Sequence, residues 1–343
     1  MRINRPASLF VSIALLASVV VGYSTTANAA PATPPVQAVG YWTESAMASA
    51  LPVEVVVDSK TGQGRLRVIE QGKVTSGTPS TQKAFDWPTN SPIAQTAVGK
   101  VFFSVGRSNY VCSGALVTEN DPYRAIVLTA AHCVWNQGTR GAWVSNWAFV
   151  PNYDGGERTK WYSKELVARS EFTSQRSFNN TALAYDWAFA VLRTGGNNGN
   201  LLPDVNYQLP GAGTIVKNSY DLNIDGFTVN STSFAFGYPA AAPYDGLTLK
   251  YASGSIFLDP NTPSTTWGMI SDLTGGASGG PWLSGLTDGV TDNLSGKLSS
   301  VNSYKYSLDI TKMYGPRFNI KTQSTFDVAL ATISSAGNRV VTG

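Results

Sequence analysis

The 343-residue sequence predicts an all-β protein, a barrel or a sandwich, and three features support this fold class. From about residue 98, short apolar runs of strand length alternate with turns that contain glycine, proline, asparagine and aspartate. Charged residues make up only 14% of the chain. Glycine, serine, threonine, asparagine and tyrosine are plentiful, which is typical of turn-rich β structure and disfavours a helical bundle.

The apolar runs give the predicted strands in order. In the main part of the chain they are Val98–Phe103, Val111–Val117, Ala125–Leu128, Trp187–Leu192, Phe234–Phe236 and Trp267–Ile270. Further upstream, 53–57 and 65–69 are predicted to pair as two short strands.

The end of the chain breaks the β pattern. Phe326, Leu330 and Ile333 recur at helical spacing behind a start at Ser324, and Gly337 follows. These positions predict a terminal helix that packs by one face.

The first 29 residues are predicted to be a secretory signal peptide. Arg2 and Arg5 precede an apolar run over 9–21, which is short for a bilayer span of about 20 residues. Ala27 and Ala29 supply the small residues of a cleavage site after Ala29. A membrane anchor is the alternative. We expect a secreted, extracellular protein.

Residues 30–95 lack the continuous pattern of apolar core residues that the rest of the chain shows. Pro31, Pro34 and Pro35 open a spacer, and 75–81 forms a second loose tract. This segment is predicted to be the pro-region of a zymogen, with an unstructured spacer as the alternative. The folded domain is predicted over 96–343.

Composition also excludes several functions. A net charge of +3 is too small to indicate a nucleic-acid surface. Cys112 and Cys133, in an exported chain, are typical of one disulfide closing a local loop. Together with a single histidine they cannot make a usual structural zinc site. We therefore expect a monomer without cofactor or metal, which binds no nucleic acid and, after signal cleavage, no membrane.

A serine flanked by glycines, Ser278, is the first candidate for chemistry. Gly276, Ser278 and Gly280 fit the Gly-x-Ser-x-Gly nucleophile elbow of an α/β-hydrolase. The same stretch also fits the Ser-Gly-Gly-Pro nucleophile loop of a serine protease, or a plain turn between strands. Chain order excludes the elbow, because such hydrolases run Ser, Asp or Glu, then His, whereas the only histidine, His132, precedes Ser278.

His132 and Asp186 are the candidate partners of this serine. His132 follows an apolar strand, and the adjacent Cys133 can tether it, which suits a general base near neutral pH. A purely structural histidine is the alternative. Asp186 lies among bulky apolar residues, where a carboxylate without a partner costs several kcal/mol. It is predicted to orient His132, or alternatively to cap nearby amides.

A serine hydroxyl needs an adjacent base before it can attack a carbonyl group. The reaction also needs hydrogen-bond donors for the oxyanion that develops on the carbonyl oxygen. Because Gly276 has no side chain, the backbone N–H groups of Gly276 and Ser278 can converge on that oxyanion. Ser278 is therefore the predicted nucleophile, and these two N–H groups are the predicted oxyanion hole.

In the order His132, Asp186, Ser278, the chain resembles the chymotrypsin/trypsin-like serine peptidases, in particular secreted bacterial members with few disulfides. The motifs that carry the resemblance are Cys112–Gly114, Thr129–Cys133, Asp186–Ala188 and Gly276–Pro281. The resemblance implies two six-stranded antiparallel β-barrels, over about 96–205 and 206–343. It also implies an active site between them, with His132 and Asp186 on the first and Ser278 on the second.

The resemblance further implies that Cys112–Cys133 is the histidine-loop disulfide of the family. It implies a serine endopeptidase that acts on protein or peptide substrates through an acyl-enzyme intermediate. A catalytically silent, protease-like binding module is the alternative.

Ala277 departs from the family pattern, in which an aspartate before the serine pairs with the α-amino group freed by zymogen cleavage. We expect maturation to remove a pro-region without ordering the site through Ala277.

Specificity is predicted from the pocket residues that the resemblance identifies. Asp272 lies six residues before Ser278, at the position that selects Arg and Lys at P1, and Ser303 lies on the opposite wall. The resemblance places Lys305 on the same wall as Ser303, where it is expected to neutralise Asp272 or to occlude the pocket. We expect a preference for Arg or Lys, with a non-basic P1 specificity as the alternative.

Overall fold

The computed structural model describes residues 41–72, 84–88, 92–119, 125–137, 141–156, 158–192, 218–286, 295–332 and 337–343. The predicted signal peptide and the loose tract at 75–81 lie outside these residues. No helix in the described ranges combines the length and the apolarity needed to cross a bilayer.

The described residues are mostly β structure. The strands are β1 Leu51–Val57, β2 Gly64–Val68, β3 Phe85–Asp86, β4 Val98–Val105, β5 Ser108–Val117, β6 Ile126–Thr129, β7 Trp135–Asn136, β8 Ala142–Trp143, β9 Ser145–Pro151, β10 Trp161–Arg169, β11 Ala188–Leu192, β12 Asp221–Leu222, β13 Thr232–Gly237, β14 Lys250–Ser255, β15 Phe257–Leu258, β16 Thr266–Ile270, β17 Pro281–Ser284, β18 Lys297–Val301, β19 Tyr304–Tyr306, β20 Asp309–Pro316 and β21 Arg339–Val341. The helices are α1 Glu44–Ala48, α2 Pro92–Ala97, α3 Ser170–Thr173, α4 Asn180–Ala184 and α5 Ile320–Leu330.

The first barrel is a closed ring of six antiparallel strands. Its order is β4-β5-β6-β11-β10-β9, and β9 pairs with β4 to close the ring. The strands β6 and β11 are buried along their whole length, which explains their continuous apolar sequence. This ring holds the larger of two apolar cores.

The second barrel consists of two antiparallel ladders around its own core. One ladder runs β18-β17-β13-β14, and the other pairs β16 with β20. Trp267, Met269 and Trp282 lie between them and are almost fully buried. The predicted all-β, chymotrypsin-like fold is confirmed, with a closed six-stranded first barrel, and so are the six predicted strands of the main chain.

The predicted pairing upstream of the barrels is also confirmed. β1 and β2 form an antiparallel hairpin in which Val53 lies opposite Val68. β1 also pairs in parallel with β5 on its first half and with β19 on its second half. This one strand therefore joins the first barrel, through β19, to the β16–β20 ladder in a single 13-stranded sheet, whereas the β18-β17-β13-β14 ladder belongs to a separate six-stranded sheet.

A second upstream element belongs to the second barrel. β3 pairs with β14, and the backbone N–H of Trp87 donates to the carbonyl of Leu249 at 2.9 Å. The processing boundary near residue 95 stays a prediction.

The terminal helix exists, but its predicted limits are wrong. α5 begins at Ile320 because Asn319 caps it: its side chain accepts from the N–H of Lys321 at 2.8 Å, and its own N–H donates to Thr322. The helix ends at Leu330, and Ile333 lies outside the described residues. Phe326 packs on Phe189 of the first barrel, at 5.3 Å between ring centroids.

Cys112 and Cys133 form the predicted disulfide, which closes a loop over a sequence separation of 21. We expect the variant with Cys112→Ala and Cys133→Ala to lose about 3 kcal/mol of unfolding free energy, because the open loop gives the unfolded chain more freedom. Denaturant unfolding measures this loss, and a loss below about 1 kcal/mol would contradict the expectation.

Candidate active site

His132 and Asp186 are brought together by the first barrel. His132 lies in a 3-10 turn, Ala131–Cys133, directly after β6, and Asp186 lies between α4 and β11. The backbone N–H of His132 donates to Asp186 Oδ1 at 2.9 Å, and its ring Nδ1 lies 2.8 Å from Oδ2. Because a carboxylate only accepts, Nδ1 carries a proton, and in the neutral ring Nε2 is then the nitrogen with the lone pair.

Asp186 accepts a third hydrogen bond from the second barrel. The hydroxyl of Ser303, directly before β19, donates to Oδ2 at 2.5 Å. Asp186 is fully buried, so these donors take the place of water around its carboxylate. The predicted partnership of Asp186 with His132 is therefore observed as geometry. Ser303, which we expected to bind substrate, contacts this carboxylate, and its substrate-binding role stays a prediction.

The loop that carries Ser278 needs glycine at two positions. Gly276 and Gly279 have φ angles of +97° and +79°, in the left-handed region. A Cβ on Gly276 would lie 2.8 Å from the carbonyl oxygen of Tyr238, and one on Gly279 would lie 2.3 Å from the hydroxyl of Thr129. The second contact places the serine loop against the strand end that leads to His132.

Asn302 fixes the same loop from the second barrel, and the sequence did not single it out. Its amide Nδ2 donates to the carbonyls of Phe236 and Ala277 at 2.7 and 2.9 Å, and its Oδ1 accepts from the indole of Trp282. Its own carbonyl accepts from the N–H of Gly279. Ala277 itself is fully buried. The loop is thus held through the backbone next to Ser278, without an ionised side chain at position 277.

Ser113 of β5 connects the serine loop to the first barrel. Its N–H donates to the carbonyl of Ser278 at 2.7 Å, and its hydroxyl donates to the carbonyl of Gly276 at 2.9 Å. The hydroxyl also accepts from the N–H of Tyr238. Ser113 was part of the family motif, but nothing in the sequence indicated this bridging role.

The nucleophile region is occupied by the chain's own backbone. The N–H of Gly276 donates to the carbonyl oxygen of Val53 in β1 at 3.1 Å, and the Ser278 hydroxyl lies 3.5 Å from the same oxygen. Among the described residues, His132 Nε2 has no hydrogen-bond partner. The Ser278 hydroxyl thus faces Val53, and no local pattern in the sequence predicts this contact.

Two of the predicted pocket residues, Lys305 and Asp272, lie close enough for their charges to interact. Lys305 is buried and bridges two carbonyls, of Ser271 at 3.3 Å and of Ile310 at 2.8 Å. Burial lowers the pKa of Lys305 to about 8, although the negative charges of Glu54 and Asp272 oppose that shift. The Lys305 ammonium group is therefore bound by the carbonyls of Ser271 and Ile310, and it interacts electrostatically with Asp272.

A buried carboxylate, Asp259, supports the strand beside the cleft. It accepts from the hydroxyls of Tyr304, Tyr306, Thr262 and Thr266. Burial, together with the Asp259 charge, raises the pKa of Tyr306 to about 12, so this hydroxyl keeps its proton for donation. Asp259 therefore holds β19 in place through the hydroxyls of Tyr304 and Tyr306.

One cluster has the residue types of a metal site, namely Cys112, His132 and Cys133. Its two sulfurs form the disulfide, so neither is the thiolate that a metal needs. The expectation of a protein without cofactor or metal stays a prediction.

The two barrels, with the histidine, carboxylate and serine segments meeting between them, define a chymotrypsin-like serine peptidase. Residues 84–201 match the family model for the C-terminal domain of lysyl endopeptidase. The protease Anisep from Arthrobacter nicotinovorans is 38% identical over 69% of this chain and 96% of its own, with a TM-score of 0.56. The chain therefore belongs to the chymotrypsin/trypsin-like serine peptidases, and the relatives that it resembles are bacterial members of that family.

Two further solved structures are similar. The thermostable serine protease AL20 from an extremophilic microorganism is 32% identical over 72% of this chain and all of its own, with a TM-score of 0.56. A Glu endopeptidase shares the fold at 19% identity, over 74% of this chain and 99% of its own, with a TM-score of 0.51. No curated protein matches the chain significantly.

The bond from Ser303 to Asp186 gives a stability prediction. We expect Ser303→Ala to lower the free energy of unfolding by about 1.5–3 kcal/mol, because a buried carboxylate loses a donor. Ser299→Ala is the matched control: Ser299 is also buried on the second barrel, but its partners Ser284 and Asn223 are neutral, and the expected loss is about 0.5–1.5 kcal/mol. Denaturant unfolding of both variants tests the difference, and an equal or smaller loss at Ser303 would contradict it.

Proposed function

We propose that this chain is a secreted serine endopeptidase in which Ser278 is the nucleophile, His132 the general base and Asp186 the residue that orients the base. The observation that carries the proposal is the fully buried Asp186 carboxylate, which accepts from both the backbone and the ring of His132. Membership of the serine peptidase family and the adjacent serine loop support it.

The proposed reaction begins with attack of Ser278 Oγ on a substrate carbonyl carbon while His132 Nε2 takes the hydroxyl proton. The N–H groups of Gly276 and Ser278 stabilise the oxyanion. The imidazolium then gives its proton to the leaving amine, and the C–N bond breaks to leave an acyl-enzyme. Water, deprotonated by the same nitrogen, releases the acid and restores the Ser278 hydroxyl. Asp186 stabilises the imidazolium throughout.

Fluorophosphonate labelling of the exported form, with its N-terminus sequenced in the same experiment, tests the nucleophile. We expect one label on Ser278, lost in His132→Ala and in Ser278→Ala. Lys312→Ala is the control that should label normally: the partly exposed Lys312 side chain pairs with Asp309 at 2.6 Å and makes no hydrogen bond to the serine loop among the described residues. A folded mature protein that never labels would instead support the silent binding module.

Asp186→Asn tests the orienting residue. We expect kcat for a peptide substrate to fall by about 10⁴-fold, because an amide that donates to Nδ1 favours the wrong ring tautomer. Steady-state hydrolysis measures the effect. A fall below about tenfold would remove Asp186 from the mechanism.

For specificity, we propose that Asp272 favours Arg or Lys at P1 and that Lys305 weakens this preference. The position of Asp272 six residues before the nucleophile supports the first part. The influence of the Asp272 charge on Lys305 supports the second. A cationic substrate side chain would gain from the carboxylate and be repelled by the ammonium.

A panel of Arg, Lys, Glu, Phe and Leu substrates tests this pocket. We expect Asp272→Ser to lower kcat/KM for the basic substrates by at least about tenfold, and Lys305→Ala to raise it by about as much, since each removes roughly 1–2 kcal/mol of charge interaction. Lys312→Ala should leave the preference unchanged. A dominant preference for Phe or Glu would overturn the role of Asp272.

A further inference from the structure

We propose that residues 41–72 are a built-in inhibitor, which adds the strand β1 to both edges of the active-site cleft and puts the Val53 carbonyl where a substrate carbonyl would react. This inference rests on the proposed function, because it names how the same Ser278 site is regulated.

The first support is the position of the Val53 carbonyl. It accepts from the N–H of Gly276 at 3.1 Å, the donor that we assign to the oxyanion, and lies 3.5 Å from the Ser278 hydroxyl. With the segment in place, Ser278 and His132 are only 5% and 2% exposed. A substrate carbonyl cannot reach the Ser278 hydroxyl while the Val53 oxygen accepts the hydrogen bond from the Gly276 N–H.

The second support is that the segment binds by strand addition. Leu51 and Pro52 pair in parallel with β5 of the first barrel, and 55–57 pair in parallel with β19 of the second barrel. Strand addition takes its affinity from main-chain hydrogen bonds. The side chains of Val53, Val55 and Val57 are at most 1% exposed, so apolar burial adds to that affinity.

The third support is that both ends of the segment are anchored, one on each barrel. The Trp42 indole donates to the carbonyl of Asn146 at 2.6 Å, and its ring packs against Phe102 of the first barrel. The N–H of Gly72 donates to the carbonyl of Ala240 at 2.7 Å, next to the second barrel. The strand in the cleft is therefore held from both sides.

The arrangement around Val53 also explains how the segment can stay uncut. His132 Nε2 has no hydrogen-bond partner among the described residues, so the Ser278 hydroxyl is not bonded to the base that must take its proton. The residues on both sides of Val53 are paired with the barrels, 51–52 with β5 and 55–57 with β19. If the peptide bond after Val53 were cut, both new ends would therefore stay in the cleft, and the bond would re-form faster than the ends could leave. Occupation of the cleft therefore inhibits without being consumed.

The experiment uses the full chain with the recognition sequence of a site-specific protease inserted between 73 and 83. Peptide hydrolysis and fluorophosphonate labelling are measured before cutting, after cutting and separation, and after adding back a synthetic peptide of residues 41–72. We expect a silent uncut chain, an active separated enzyme that labels at Ser278, and loss of both signals on adding the peptide.

Val55→Asp and Val68→Asp are the matched variants. Val55 is fully buried in the cleft strand, whereas Val68 is 51% exposed on the outer strand of the same hairpin. In the uncut chain we expect Val55→Asp to raise hydrolysis at least about tenfold, because a buried unpaired carboxylate loosens the strand, and Val68→Asp to change it less than about twofold. If the Val55→Asp chain fails to fold, the same substitution in the added peptide should weaken its inhibition at least about tenfold, with the Val68→Asp peptide as control.

The outcomes separate the two proposals. An uncut chain as active as the separated enzyme, or an active enzyme that the peptide does not inhibit, overturns the inhibitor and leaves the peptidase intact. A separated, folded enzyme that neither labels nor hydrolyses any substrate of the panel overturns the proposed function, and the inhibitor with it.

Discussion

The buried carboxylate of Asp186 is the constraint on which the candidate site depends. It accepts from the backbone and ring of His132 in the first barrel and from Ser303 beside the second, so one side chain sets the histidine and ties it to both halves of the cleft. A buried charge without these donors would cost several kcal/mol, and the local fold therefore has to deliver all three. The hydrogen bonds from Ser113 of β5 to Ser278 and Gly276, and the close approach of Gly279 to Thr129, then bring the serine loop to the same place.

The two sides of the site are organised by different means. The first barrel positions His132 and Asp186 next to the ends of the fully buried strands β6 and β11. The second barrel positions Ser278 through a loop, and a loop needs partners for its carbonyl and N–H groups. Asn302 and Ser113 supply them. Their neutral hydrogen bonds are a physical alternative to the ion pair that Ala277 cannot make, and they are present while residues 41–72 still occupy the cleft.

The sequence predicted what local patterns encode. Strands such as β6 and β11 follow from continuous apolar runs, and the disulfide follows from two cysteines in an exported chain. The start of α5 was missed because the spacing of Phe326 and Leu330 marks only the packed face, whereas Asn319, about two turns before Phe326, caps the helix. Asn302, Asp259 and Val53 were missed for a different reason. Their contacts with Ala277, Tyr304 and Ser278, respectively, span 25, 45 and 225 residues of the chain, and only the folded sheet brings these pairs together.

His132 is the only histidine of the chain, so its ring nitrogens can be observed by ¹⁵N NMR without any assignment problem. Because Asp186 accepts from Nδ1, the account predicts that the neutral form of the ring carries its proton on Nδ1 and has a bare Nε2, and that this tautomer preference is lost in Asp186→Asn. A ring with its proton on Nε2, or an Asp186→Asn spectrum identical to that of the unmodified protein, would contradict the claim that this carboxylate prepares His132 as a base.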